Sequence, residues 1–597
     1  MSSIHSRTIF HWFVLPILLG GLLWPLGTVR ADEKSIVQVG GTRRVNAPYF
    51  EGDVLSAQAA IFWFGRVTPT ENSIDVRVGY NDEHLYVRVS TIDRRLWYDT
   101  SPSTEDLTAW DAVSLFLNLN GNAGDVPDAD SYRFDAQLRW EAGDDYPHNY
   151  QASYRGGNDG WIPANLSFTT PSNWNGDAPN TNGDDRGWTV WIFVPFSTLG
   201  LAGPPSQGTV WGLGLISHDR DDAQGSPVPS QFWPEALYPV SPRTWGQLHF
   251  GSREYVAPPA WPGASVTIRQ GLNGATVMDA DIGGGTDCGA PAWPEYFPTW
   301  GDLNYPSSRY VNVQNVGQVS EWPCFSRYYV TFPLNGIPPH KVILSAQLTL
   351  YQWGNAGEGA NPQPSFIQVH SVDSAWDENS LTWNNAPRAL ENIAGTWAGV
   401  FPEYPGEPRT WDVSGAAADA YAAGIPLRLA LYESDIAFHS GKYFWSSDVE
   451  DYYQEMRPTL VVTWGQPLAQ VQLTASPSYG DQGDFSTYTL SFYGTGNDLL
   501  LTASMPDGLS APTGFELEGT SQMPLYNAQR HEITWSDAPP MGQRVTIRYL
   551  ASITTLETKP LPTTATLEEA GGESSSDDAT VIANPLVSYG PLVPRND

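Results

Sequence analysis

The chain has 597 residues, 41% of them hydrophobic, with 25 Trp, 28 Tyr and 22 Phe but only 2 Cys. Its formal net charge is −34 and only four of its 31 basic residues are Lys; a surface of that sign repels nucleic-acid phosphates, and no Lys-rich patch is present to seek anionic lipid. Gly and Pro are too few for collagen or wholesale disorder, and at ~150 residues per domain the length implies several domains.

The first thirty residues read as an address. Arg7 precedes an apolar run from Ile9 to Leu26, and Val29 and Ala31 are small residues at the −3 and −1 positions of a cleavage site, so residues 1–31 are expected to be a secretory signal peptide. The length of the run leaves an uncleaved anchor helix as the alternative. No second apolar run follows, so no transmembrane anchor is expected after cleavage, and the expected location is extracellular, in solution or at the cell surface. Disulfides persist there, so Cys288 and Cys324 are expected to pair, with two free thiols as the alternative.

The remaining chain alternates with period two. Ile74, Val76, Val78 and Tyr80 interleave with Asp75, Arg77 and Gly79; Asn81-Asp82 starts a turn, and Leu85, Val87 and Val89 resume the alternation, which predicts a hairpin. Ala346, Leu348 and Leu350, then Val545, Ile547, Tyr549 and Ala551, repeat the pattern. One short helix is predicted, with Ser414 as N-cap, an Ala-rich body and Gly424 as its stop. Pro/Gly-rich breaks at 257–263 and 465–467 divide the chain into ranges 36–252, 263–464 and 468–580, followed by a tail at 581–597. The fold class is all-β and multidomain: tandem β-sandwiches of jelly-roll or Ig-like type. Acidic excess is spread over all three ranges.

Range 36–252 carries an ordered set of pieces: the hairpin Val76 to Val87 with its "hLYV" strand, then Asp93, then Trp110 to Leu117 like a "DxVEIF" strand, Tyr132-Arg133-Phe134, and Gly187 to Pro195 with Leu199-Gly200 like "GW…IP…LG". This range resembles carbohydrate-binding module family 9. The resemblance implies a sandwich that holds sugar between aromatic faces, with Trp233 and Trp110 as stacking residues and Arg133 as a polar contact. Ser114 departs from the family's Glu and removes one carboxylate acceptor.

Range 263–464 carries Ser326 to Phe332 followed by Ile337-Pro338, the strand Ile343 to Tyr351, and a "W-E-x-x-(h)TWNN-x-P" motif from Trp376 to Pro387. It resembles the DNRLRE-type domain related to carbohydrate-binding module family 96. The stretch from Cys288 to Cys324 reads as an insertion. Range 468–580, with Gly480-Asp481 before a strand and the turn Met505 to Leu509, resembles the DUF11-like repeat of bacterial surface proteins, which implies a spacer.

Trp excess is the main chemical signal, because an indole offers a flat apolar face and an N–H to a sugar ring. Trp97, Trp140, Trp161, Trp174 and Trp353 lie near polar turns and are the expected exposed aromatics, with Trp353 the carbohydrate-binding candidate of the central range. Asp/Asn-rich turns supply hard oxygen ligands, so a structural Ca²⁺ is a candidate cofactor; Asp125, Asp128 and Asp130 are the candidate ligands, and Asp279, Asp281, Asp287 and His218 to Asp222 form further acidic clusters. Such residues are also ordinary turn formers. No nucleophile elbow, zinc-protease helix motif or phosphate loop occurs, so no enzyme is expected. The expected function is non-catalytic carbohydrate binding, with polysaccharide or cell-wall glycan as partner. The alternatives are a structural surface or adhesion protein with degenerate modules, and a polysaccharide-active hydrolase.

Overall fold

The computed structural model describes residues 42–585, apart from 104–105, 122–123, 140–149, 158–159, 227, 259, 290–295, 317–318, 340, 358–360, 435–436, 468–469 and 571–573. The expected signal peptide and Trp140 lie outside the described residues. As the period-two pattern requires, the architecture is all-β, with strands gathered in several sheets.

The predicted hairpin forms: strands Glu71–Tyr80 and His84–Ile92 pair antiparallel with Val78 opposite Val87. They belong to a five-stranded sheet whose edges are Ala60–Thr68 and Ser172–Asn175. The alternation is real, yet both faces are covered. Ile74, Val76 and Val78 are fully buried, and so are Asp75 and Arg77 on the opposite face.

The second face meets the central range. Asp75 pairs with Arg327 at 2.9 Å, Arg77 Nε donates to the Ser434 carbonyl at 3.0 Å, and Gln368 Nε2 donates to the Ala59 carbonyl at 2.6 Å. One hydrophobic cluster therefore contains Val76, Val89 and Trp188 together with Trp300, Tyr329, Trp383 and Tyr432.

A 13-stranded sheet runs through both ranges. Its centre is the short strand Arg44–Ala47, which pairs parallel with Gly246–Phe250 on one side. On the other it reaches Ala389–Ala398 through Arg44 opposite Glu391 and a reciprocal Asn46–Asn392 exchange. Arg43 fastens the seam, donating to Glu235, Asp373 and the Ala389 carbonyl.

The central range closes a second core between its share of that sheet and a six-stranded sheet holding Val342–Asn355, Lys442–Trp445, Thr459–Pro467 and Tyr310–Val313. The helix Ser414–Ala422 covers one end. Ser414 is not its cap: Asp412 accepts the Ser414 N–H at 2.9 Å, while the Ser414 hydroxyl accepts the Ala346 N–H. Gly424, at φ 66°, ends the turn as a left-handed residue. Cys288 and Cys324 are joined in a disulfide. The C-terminal range forms its own core between a four- and a six-stranded sheet around Tyr488, Leu501, Trp535 and Tyr549.

Candidate functional site

The N-terminal range presents the candidates first. Trp233 does not offer a stacking face. It is 1% exposed, its ring centroid lies 4.3 Å from that of Phe62, and a Cβ at Gly246 would meet its ring at 2.6 Å. Trp110 is half-buried, and the Arg220 guanidinium sits 3.7 Å from its ring centroid, so the protein's own cation occupies that face. Arg133 is held by Asp135 at 2.8 Å and lies over Tyr154. Ser114, fully buried, donates to Asp135 at 2.6 Å and lies 3.0 Å from His218 Nε2. Burial lowers His218 to about 3, so it is neutral, and desolvation raises Asp135 against the pull of Arg133. These groups satisfy one another rather than converge on a ligand.

Asp125, Asp128 and Asp130 do not form a shared cage. Asp125 is exposed and pairs with Arg243, while Asp128 accepts from Asn120, Ser131 and the Asp130 N–H, a hydrogen-bonded turn. The carboxylates that do converge are Asp93, Asp111 and Asp219, each with one oxygen within 4.8 Å of the others. They come from the end of one strand, the start of a second and the end of a third, in two different sheets. Asp111 accepts the Trp97 and Arg220 N–H groups and Asp93 accepts that of Arg95. One oxygen each of Asp93 and Asp219 is buried without a hydrogen bond. Among the described residues no Arg or Lys pairs with the three. Burial and mutual repulsion push Asp93 and Asp111 well above the usual carboxylate range and Asp219 up to about 8. All-oxygen donors with surplus negative charge and open lone pairs fit a hard divalent cation such as Ca²⁺.

Trp353 of the central range sits in a different setting. Along Tyr310–Val313, Val311 and Val313 enter the core, so Tyr310 is turned outward; on Lys442–Trp445 the core takes Phe444, leaving Tyr443 and Trp445 on the outer side. The register places Tyr310 opposite Trp445. Trp353 falls at a bulge, where the pairing of Val342–Asn355 with Lys442–Trp445 slips between Gln352 and Gly354. The rings then follow one another: Tyr443 to Trp353 at 5.6 Å, Trp353 to Trp445 at 5.5 Å, Trp445 to Tyr453 at 5.1 Å and nearly parallel, Tyr453 to Tyr452 at 4.7 Å. Tyr310 and Tyr404 flank the row. Trp445 is its anchor, buried and donating to the Pro405 carbonyl at 2.9 Å. Tyr452 is 86% exposed and Tyr404 57%, while Tyr310, Trp353, Tyr443 and Tyr453 are half-buried. The Trp353 Nε1 donor is buried beneath its ring's neighbours and has no partner among the described residues, so the ring offers its face rather than its N–H.

The sequence reading singled out Trp353 but missed the tyrosines beside it. The register of three strands, invisible in any one of them, brings these rings together. A separate cleft of about 760 Å³, bounded by Leu334, Ile337, Ile343, Tyr421 and Tyr493, does not include the row.

Residues 299–440 match the family model of carbohydrate-binding module family 96. That stretch contains Tyr310, Trp353 and Tyr404; Tyr443, Trp445, Tyr452 and Tyr453 follow directly after it. Among solved structures, the chain is similar to a carbohydrate binding module family 9 from Caldicellulosiruptor kristjanssonii in complex with glucose, at 16% identity over 36% of this chain and 100% of that one, with a TM-score of 0.24. It is also similar to the collagen-binding domain from a Staphylococcus aureus adhesin, at 13% identity over 19% of this chain and 96% of that one, with a TM-score of 0.16. No curated protein matches the chain. No helix among the described residues is long and apolar enough to cross a membrane.

Proposed function

We propose that this protein is an exported, non-catalytic carbohydrate-binding protein that holds polysaccharide on the aromatic row of its central range. The carrying observation is the row itself: rings that are half-buried at Tyr310, Trp353, Tyr443 and Tyr453 and largely exposed at Tyr404 and Tyr452, packed against the buried Trp445. Aromatic faces stack on the C–H faces of sugars while hydroxyl edges take hydrogen bonds. The family 96 match over residues 299–440 supports the same reading. Export through residues 1–31, and a DUF11-like spacer role for 468–580, complete the proposal.

The test is retention of the full chain on immobilised polysaccharides. Trp353→Ala should weaken retention about two- to tenfold, since one stacking ring contributes about 0.5–1.5 kcal/mol beyond its buried area. Phe substituted for the buried Trp233 should leave retention unchanged. A folded protein that binds no glycan would overturn the proposal. It would favour the second reading, a structural surface protein, for which the self-satisfied Ser114–Asp135–Arg133 set of the N-terminal range is the supporting observation.

A further inference from the structure

We infer that the aromatic row takes a neutral glycan chain and discriminates against polyuronates; this rests on the carbohydrate-binding reading above. The charges bordering the row decide it. Tyr452 and Tyr453 lie on the short helical segment Asp451–Met456, which also carries Asp451 and Glu455. Each of these carboxylates pairs with an arginine, but the two ends of each pair are not equally placed. The Arg457 side chain is 11% exposed and its partner Asp451 92%; Arg269 is 13% exposed and its partner Glu455 74%. The guanidinium groups are tucked beneath and the carboxylates face solvent, so a ligand approaching Tyr452 meets negative charge.

The other cations near the row are also engaged. Arg309 is the one of these guanidinium groups that faces solvent, and it is paired there with the similarly exposed Glu450, so the pair carries no net charge. Arg409, on the strand beside Trp353, donates to Gln352 Oε1 at 2.9 Å and lies near the Gly399 carbonyl. Recognition of a uronate carboxylate needs an available guanidinium or ammonium in fork or point-charge geometry. Among the described residues bordering the row, every arginine named above already has a partner. The chain's net charge of −34 adds a long-range penalty for a polyanion.

A neutral chain avoids both costs. It loses no ion hydration on docking, its C–H faces meet the rings, and its hydroxyls can reach the Tyr404 and Tyr453 hydroxyls, which already hydrogen-bond each other at the exposed edge. The exposed or half-exposed rings come from several segments, Tyr310, Trp353, Tyr404, Tyr443 and Tyr452, so more than one sugar can be contacted, which favours a chain over a monosaccharide.

The experiment compares the full chain on xylan, mannan and cellulose with the same chain on alginate and polygalacturonate, each at low salt and at about 0.5 M NaCl, where the Debye length falls to a few Å. The expected result is retention on at least one neutral polysaccharide, little changed by salt, and none on the polyuronates. Tyr452→Ala, at an exposed position that cannot disturb the core, should weaken retention several-fold. Asp451→Lys with Glu455→Lys should create salt-sensitive alginate retention while leaving the neutral ligand within about threefold. Wild-type retention on alginate that salt abolishes would overturn the neutral-glycan inference and leave carbohydrate binding standing. Retention on none of the five, by protein with native near-UV dichroism, would sink both.

Discussion

Arg327→Met removes a cation from a buried position between the first two ranges, and the structure sets the size of the loss. The Arg327 side chain is 2% exposed and that of its partner Asp75 5%. The guanidinium carbon also lies 3.6 Å from the ring centroid of Trp383 and 4.5 Å from those of Trp63 and Tyr432. Breaking a buried pair from one side costs about 3–5 kcal/mol because it strands the other charge. Asp75 would keep the Tyr432 hydroxyl at 2.7 Å and the Asn315 amide at 3.1 Å, which places the electrostatic part near the lower end. Desolvated cation–π contact contributes about 2 kcal/mol more, not fully additive. The expected loss is about 4 kcal/mol, read as the shift in urea midpoint by Trp fluorescence. In a double-mutant cycle with Asp75→Asn, the two changes together should cost at least about 2 kcal/mol less than the sum of the singles. A single-mutant loss below about 1 kcal/mol, or additive losses, would refute the claim that this pair clamps the two ranges.

Two further outcomes are expected. Ca²⁺ added to chelator-treated protein should raise its melting temperature through the Asp93–Asp111–Asp219 cluster, by about 2.7 kcal/mol of stability at a hundredfold excess over Kd; Asp111→Asn should abolish the increment, and an unchanged melting curve with Ca²⁺ would count against the site. Desolvation pushes the fully buried Asp279 up to about 7, although Tyr328 and Ser447 donate to it. The folded state thus holds a proton that the unfolded state releases near the ordinary aspartate value of 3.8, so this group's contribution to stability is full below about 4 and is lost as pH rises toward 7. Asp279→Asn should flatten that part of the urea-midpoint profile, and an identical slope in mutant and wild type would show that Asp279 does not titrate there.

What the sequence disclosed and what it withheld divide along a physical line. Local periodicity is short-range information, and it located the hairpin around Asn81, the strand containing Leu348 and the helix before Gly424. It could not show that Asp75 and Arg77, on the face opposite the apolar residues, would be covered by another range. Burial of polar residues on a strand depends on what packs against it, and nothing within the strand records that. Trp233 misled for the same reason: a Trp near a loop can stack on a sugar or fill the gap over a glycine, and Gly246 decides for the second. Asp93, Asp111 and Asp219 each stood in a stretch that drew attention, but their convergence is a property of sheet topology. Trp353 was legible as a candidate because polar turn residues surround it, whereas its partners Tyr310 and Tyr443 become visible only once the strand register is known.

The strand Arg44–Ala47 has a consequence for how such a chain comes to be folded. Its neighbours are Gly246–Phe250 and, through Asn46, Asn392 on Ala389–Ala398, some 346 residues further along. During synthesis from the N-terminus, this four-residue segment waits beside an unfinished edge until most of the two ranges has emerged. Contacts so distant in sequence are slow to close, and unpaired strand edges invite pairing with other chains meanwhile. The side chains at the joint suit that wait. Arg43 and Arg44 give the segment a charged approach, and Asn46 completes its hydrogen bonds with one specific amide opposite, so a hydrophobic edge from another copy finds little there to match.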